Sequence, residues 1–180
     1  EIITHLRGVP PDGAEVWYQK HMAHHLLDEI DREWMLDLDH CFLIRDPAAV
    51  VSSYLRTRDQ LNLSDIGVVQ QHRIFHWLTN KNTDRPLVVD SADLLKRPEA
   101  MLRTICDELG LPFQNDMLSW PTGPRPSDGI WAPYWYDKVI QSTGFLPYRP
   151  PKIEIDSRYE AIVDEAKAYY ADLYEYRIRL

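Results

Sequence analysis

Cysteine is scarce in this sequence: 180 residues hold two, Cys41 and Cys106. That excludes the disulfide framework of a small secreted domain. Cys41 opens an apolar run and Cys106 sits in a helical pattern, so both are expected in the core, which fits a reducing, cytoplasmic setting. A zinc site is not expected, for want of paired Cys or His ligands at metal spacing. Long apolar runs are missing as well. None approaches the roughly 20 residues that span a bilayer, and no signal peptide opens the chain, so no membrane association is expected. Positive charge is in deficit, with 20 Lys and Arg against 28 Asp and Glu, a net charge of −8. A surface of that sign argues against a nucleic-acid partner, while a local basic pocket for a phosphorylated small molecule is compatible with it.

What is present is the material of a folded domain. The chain is 44% hydrophobic and 27% charged, and its length suits one domain covering residues 1–180. Residues 16–19 read as a short strand after a turn marked by Pro10, Pro11 and Gly13. Residues 41–44 and 87–89 are unbroken apolar runs, as in strands buried on both faces of a parallel sheet. Asp46-Pro47 announces a helix, with Asp as N-cap and Pro at the first helical position. Further helices are predicted from about Gly67 to Leu78, using Ile74, Phe75 and Leu78, and from Pro98 to Leu109, using Leu102, Ile105 and Leu109, with Gly110 as C-cap. A last amphipathic helix over 157–175 uses Ile162, Ala166, Tyr169 and Leu173, and is expected to pack on the sheet or on a second subunit of a homodimer. The Pro-, Gly- and aromatic-rich stretch 119–151 reads as an ordered functional loop region. Strands alternating with helices predict an α/β fold with a mainly parallel sheet.

The most informative segment runs Cys41-Phe-Leu-Ile-Arg45-Asp46-Pro47 to Ser53-Tyr54. Arg45 leaves the C-terminal end of a strand, where open α/β sheets bind ligands. Ser53 follows about two helical turns on, a rise of roughly 9–11 Å that an extended arginine can largely span. A guanidinium fork and a hydroxyl donor can so converge on one phosphate. The competing readings are an Arg45 paired with Asp46 or Asp59 on the surface, and a Ser53 that packs the helix as its neighbour Ser52 would.

This segment resembles the 3′-phosphate-binding motif of sulfotransferases that use 3′-phosphoadenosine 5′-phosphosulfate (PAPS), with Arg45 and Ser53 on the two phosphate-binding positions. Val88-Val89-Asp90 through Asp93-Leu94-Leu95 to Pro98-Glu99, and the helix closing on Leu109-Gly110, is similar to a second family segment, with Asp90 where the family has Tyr or Glu. Tyr18-Gln19-Lys20-His21-Met-Ala-His24-His25 is similar to a third, in which a histidine is the general base. The patterns Asp128-Gly129-Ile-Trp131 and Ser142-Thr-Gly144-Phe145 resemble a sulfotransferase-like branch. The likeness covers roughly residues 15–146.

The resemblance implies a P-loop-type nucleotide fold and transfer of a sulfuryl group from PAPS to a hydroxyl or amine of a small-molecule acceptor, leaving PAP. His21 is ranked first as base, with His24 and His25 behind it. Lys20 would stabilise the bridging oxygen, and Arg125 would sit in a loop closing over the 3′-phosphate. Trp131, Tyr134, Trp135 and Tyr136 either wall the acceptor pocket or anchor the loop. The family's Gly-rich loop for the 5′-phosphosulfate is not seen around Gly8 and Gly13. With Glu1 rather than Met as first residue, the first strand and that loop are expected upstream. The rival readings are a related nucleotide kinase, which needs a Lys-bearing phosphate loop and a Mg²⁺ carboxylate, and a non-catalytic binding or assembly protein of the same fold.

Overall fold

The computed structural model describes residues 2–10, 13–81, 85–125, 128–129 and 136–180. The chain divides into two compact units, residues 1–90 with 151–178, and residues 91–150 with 179–180.

The first unit is built on two parallel strands, β1 (Cys41–Ile44) and β2 (Leu87–Asp90), in the register Cys41↔Leu87 to Ile44↔Asp90. Parallel neighbours need a crossover, and residues 45–86 supply it. Helix α1 (Ile2–Leu6) lies near the start of the chain, and the crossover carries α2 (Pro47–Tyr54) and α3 (Val68–Lys81). Asp46 starts α2 as expected: its Oδ1 accepts from the Ala49 amide at 3.0 Å, and Pro47 takes the first helical position. Helix α3 follows a turn whose Asn62 and Asp65 cap each other reciprocally, and Gly67 enters it at φ 71°, a conformation that costs glycine little.

Ile74, Phe75 and Leu78 of α3 are buried as predicted. Ile74 and Leu78 pack with Trp34 and Met35, and Phe75 packs with Ile44, Val88 and Leu173. The helix Glu160–Glu175, labelled α7 below, follows a 3₁₀ turn at Ser157–Tyr159. It lies against α2, α3, β1 and β2, burying Val163, Ala166 and Leu173. The C-terminal helix thus packs on the sheet.

The second unit holds α4 (Ser91–Lys96), α5 (Pro98–Glu108) and α6 (Asp137–Ile140), with α7 returning to the first. Helix α5 ends in a glycine C-cap. Gly110 has φ 65°, its amide donates to Asp107 O, and Leu111 N donates to Cys106 O at 2.8 Å, the paired bonds of a Schellman turn. Trp120 anchors the loop region by its Nε1, 3.0 Å from Ser142 Oγ, and by its ring, edge-on to Phe145. Ser119 and Gly144 form an antiparallel bridge; a side chain at 144 would meet Leu118 O at 2.9 Å, so only glycine fits there.

The mixed helix and parallel-strand architecture is α/β, as the sequence predicts. Three local expectations are corrected. Residues 16–19 form no strand, and Tyr18 is exposed. Strand β1 is not buried on both faces. Cys41 and Leu43 share one face and both are exposed, so Cys41 is not a core residue, whereas Cys106 is buried. Among the described residues β1 pairs with β2 alone. In α5 the buried ridge is Met101 and Cys106, while Leu102, Ile105 and Leu109 are half-buried, a shift of one position around the helix. No described helix is long and apolar enough to cross a membrane. The turn residue Pro11 lies outside the described residues.

Candidate functional site

The strand–turn–helix unit sets Arg45 just past the end of β1 and Ser53 near the end of α2. Arg45 is exposed and makes no ion pair with a described residue. The surface-pair reading through Asp46 is not what is seen, because the Asp46 carboxylate turns back onto the helix.

The two neighbouring serines are separated by their surroundings. Ser52 is buried, and its Oγ accepts from the Glu154 amide at 3.2 Å, tying the approach to α7 onto α2. Ser53 is half-buried, and its Oγ accepts from Arg56 Nη2 at 2.9 Å. That bond occupies a lone pair and leaves the Ser53 O–H free to donate. Arg56, three residues on in the turn that follows α2, is the Ser53 partner that reading the sequence missed. Its signal was the i, i+3 spacing from Ser53.

The histidines lie on less regular backbone. Lys20 and His21 are exposed on a segment without assigned helix or strand, and His21 Nε2 stands 3.1 Å from Gln19 Oε1. His24 and His25 belong to a 3₁₀ turn, Ala23–His25, their rings 4.3 Å apart edge-on. His24 packs over Gly67, where an added side-chain carbon would come 3.5 Å from its backbone nitrogen and 3.6 Å from its Nδ1.

The direction of α3 locates that contact. Phe75 meets Phe42 edge-on at 5.8 Å, while Gln71, one turn earlier, donates to Leu43 O at 3.0 Å. Helix α3 thus runs against β1, and its first turn, with Gly67 and His24, lies toward the end of the strand from which Arg45 departs. Burial, then the neighbouring His25, holds the His24 pKa below the usual imidazole value, with Asp65 opposing.

At the end of β2, Asp90 is buried and accepts from Tyr170 OH at 2.9 Å. Burial, then this bond to Asp90, raises the pKa of Tyr170. Asp90 therefore locks β2 to α7, a structural task consistent with its departure from the Tyr or Glu of the family pattern.

In the second unit, Arg125 borders an open cleft of about 910 Å³ together with Asp116, Met117, Trp120 and Thr143. Its loop is closed by Arg125 N donating to Asp128 Oδ2 at 2.8 Å and Asp128 N to Arg125 O at 3.0 Å. Trp131, Tyr134 and Trp135 lie outside the described residues, and Tyr136 is half-buried.

A family model described as a sulfotransferase domain matches residues 5–174. This chain belongs to that sulfotransferase family. It is similar to the branched-chain-amino-acid aminotransferase-like protein 2 of Arabidopsis thaliana, with 36% identity over 135 residues, covering 75% of this chain and 24% of that protein. It is also similar to the aminotransferase-like protein 1 of the same plant, with 36% identity over 146 residues, covering 81% of this chain and 26% of the relative. This chain thus spans about a quarter of the length of these curated relatives. Among solved structures it matches a sulfotransferase domain from the curacin biosynthetic pathway, at 17% identity and a TM-score of 0.42, over 72% of this chain and 53% of that one.

Proposed function

We propose that this sulfotransferase domain binds PAPS and directs its sulfuryl group to a hydroxyl or amine of a small-molecule acceptor. The observation that carries the reading is the strand–turn–helix unit. Arg45 has no ion pair with a described residue, and Ser53 has its hydroxyl oxygen already held by Arg56. Two guanidinium groups and an available O–H on one unit fit the 3′-phosphate, an oxyanion with a net negative charge and several acceptor oxygens. PAPS, when bound, supplies the activated sulfuryl group.

The roles of the chain's own residues follow from their chemistry. Arg45 supplies the bidentate fork, Ser53 a neutral donor, and Arg56 holds the Ser53 oxygen while leaving its O–H to donate. Gripping the donor at a phosphate remote from sulfur orients it for in-line attack. The proton of the acceptor goes to a histidine that is neutral at physiological pH. His24 meets that requirement best, because burial favours its neutral form and it lies at the Arg45 end of the sheet. His21 and His25 are the alternates. Lys20 would stabilise charge on the bridging oxygen, and Arg125 would add a cation from the loop region.

The test is a calorimetric titration with PAPS and with ATP, each with and without Mg²⁺. Saturable PAPS binding that is indifferent to Mg²⁺ is expected. Binding of ATP alone, and only with Mg²⁺, would overturn the proposal in favour of a nucleotide kinase, and no binding of either would point to an assembly protein.

A further inference from the structure

Helices α3 and α7 face one another across the first unit. His72 and His76 lie four residues apart on α3, hence on one face, and Asp172 comes from α7. His76 Nε2 is 2.6 Å and His72 Nε2 3.2 Å from the same carboxylate oxygen, Asp172 Oδ2. All three donor atoms lie within 4.8 Å of one another. The i, i+4 spacing of His72 and His76 on a helix is that of paired metal ligands, contrary to the expectation that the chain has none, and the set is completed only through the fold.

We propose that His72, His76 and Asp172 form a binding site for a divalent transition-metal ion of the Zn²⁺ class, which staples α3 to α7. Ligand atoms of a tetrahedral zinc at its usual bond lengths stand about 3.3 Å apart. The His72–Asp172 separation already matches that spacing, and the His76–Asp172 pair must open by a fraction of an ångström. Two imidazole nitrogens and one carboxylate oxygen are a donor set that zinc accepts, with the remaining position left to water.

The rings are held before any ion arrives. His72 stands edge-on to Tyr169 at 5.2 Å, and His76 contacts the rings of Phe75 at 5.2 Å and Tyr176 at 6.0 Å. Without metal, each Nε2–H donates to Asp172, so the same groups link the helices weakly. With metal, the two Nε2 lone pairs and the carboxylate turn to the ion and the imidazole protons move to Nδ1. All three side chains remain partly exposed, which gives the ion a path in.

The probe is Zn²⁺ titrated into the full chain by calorimetry, with the thermal midpoint followed in parallel. His76→Gln tests the site without emptying it, because the glutamine amide can still donate to Asp172 but lacks the imidazole lone pair; Asp172→Asn is the second variant. One equivalent of Zn²⁺ is expected to bind and raise the midpoint. Each variant should lose more than the roughly 10–100-fold that removing an outer-shell partner costs a metal site, while keeping its metal-free midpoint. Histidines outside the site are controlled by His24→Gln with His25→Gln, the other adjacent pair, which should bind as the parent does. Three results would each overturn the site: no saturable Zn²⁺ binding, unchanged affinity in both ligand variants, or loss of binding in the His24/His25 control instead.

Discussion

From Cys41 to Tyr54 the chain is a strand, a capped turn and a helix, with Ile44, Pro47, Ala49, Val51 and Ser52 all buried beneath it. From Ala14 to His25 it is mostly backbone without assigned helix or strand, closing in one 3₁₀ turn, with no residue of the segment fully buried. The first segment is anchored along its whole length. The second has a few attachments, among them Gln19 Nε2 on Leu6 O at 2.9 Å and His24 over Gly67. Under the proposed function the contrast separates two tasks. A group that grips a phosphate gains from a fixed origin, since misplacing the donor by an ångström loses the alignment of the reacting atoms. A base needs only to reach an acceptor oxygen once it is bound, and catalytic hydrogen bonds commonly tighten only then.

Variants of the two segments should therefore fail in different ways. The largest effect is expected from His24→Ala. Turnover, followed as PAP release over a panel of hydroxyl and amine acceptors, should fall about 10²-fold or more, the usual range for loss of a general base, with PAPS affinity unchanged. A normal rate in His24→Ala together with a slow His21→Ala would move the base to His21 and break the inferred geometry at the first turn of α3. A smaller effect follows from Asp46→Ala, which removes the cap of α2. Stability in urea should drop by about 1 kcal/mol, and PAPS affinity should weaken with it because Arg45 and Ser53 lose their common frame; an unaltered urea midpoint would show that the packed residues alone hold the segment.

The smallest effect concerns His40, beside β1, whose Nε2–H donates to Met35 O at 2.7 Å. Burial holds its pKa below the ordinary 6.5, with the Met35 carbonyl partly opposing. A histidine depressed in the folded state binds its proton more readily when unfolded. The contribution of neutral His40 is thus fully present above about pH 6.5 and is lost as pH falls from there toward the folded pKa. Urea midpoints should decline below that pH in the parent and decline less steeply in His40→Gln, and identical slopes would remove His40 from the acid sensitivity of the fold.

The fold was most legible where a local signal and burial agreed. Asp46-Pro47 named both the cap and the first turn of α2, and Ile74, Phe75 and Leu78 marked the buried side of α3. Leu87 to Val89 gave β2. Residues 16–19 misled, since Val-Trp-Tyr has strand propensity but no neighbouring strand to pair with among the described residues. Cys41 misled because an apolar run does not say whether one face or two are covered. The Arg45 to Ser53 segment was legible as a strand, a turn and a helix, but not in its local bonding. That Ser52 is taken up by the fold is decided by Glu154, about a hundred positions away, and the His72, His76 and Asp172 cluster is decided by a helix equally distant in sequence. Such pairings exist only after α7 has docked.

The central claim is that the strand–turn–helix unit reads a 3′-phosphate through Arg45. Its most direct measurement compares the affinity of adenosine 3′,5′-bisphosphate with that of adenosine 5′-monophosphate, which lacks only that group, for the parent chain and for Arg45→Ala. The parent should favour the bisphosphate by roughly 10-fold or more, the worth of a charge-assisted hydrogen-bond pair. Arg45→Ala should lose most of that preference, keeping only what Ser53 and Arg56 supply, with its thermal midpoint unmoved, because Arg45 is exposed and pairs with no described residue. Equal affinities in the parent, or a preference undiminished in Arg45→Ala, would contradict the claim.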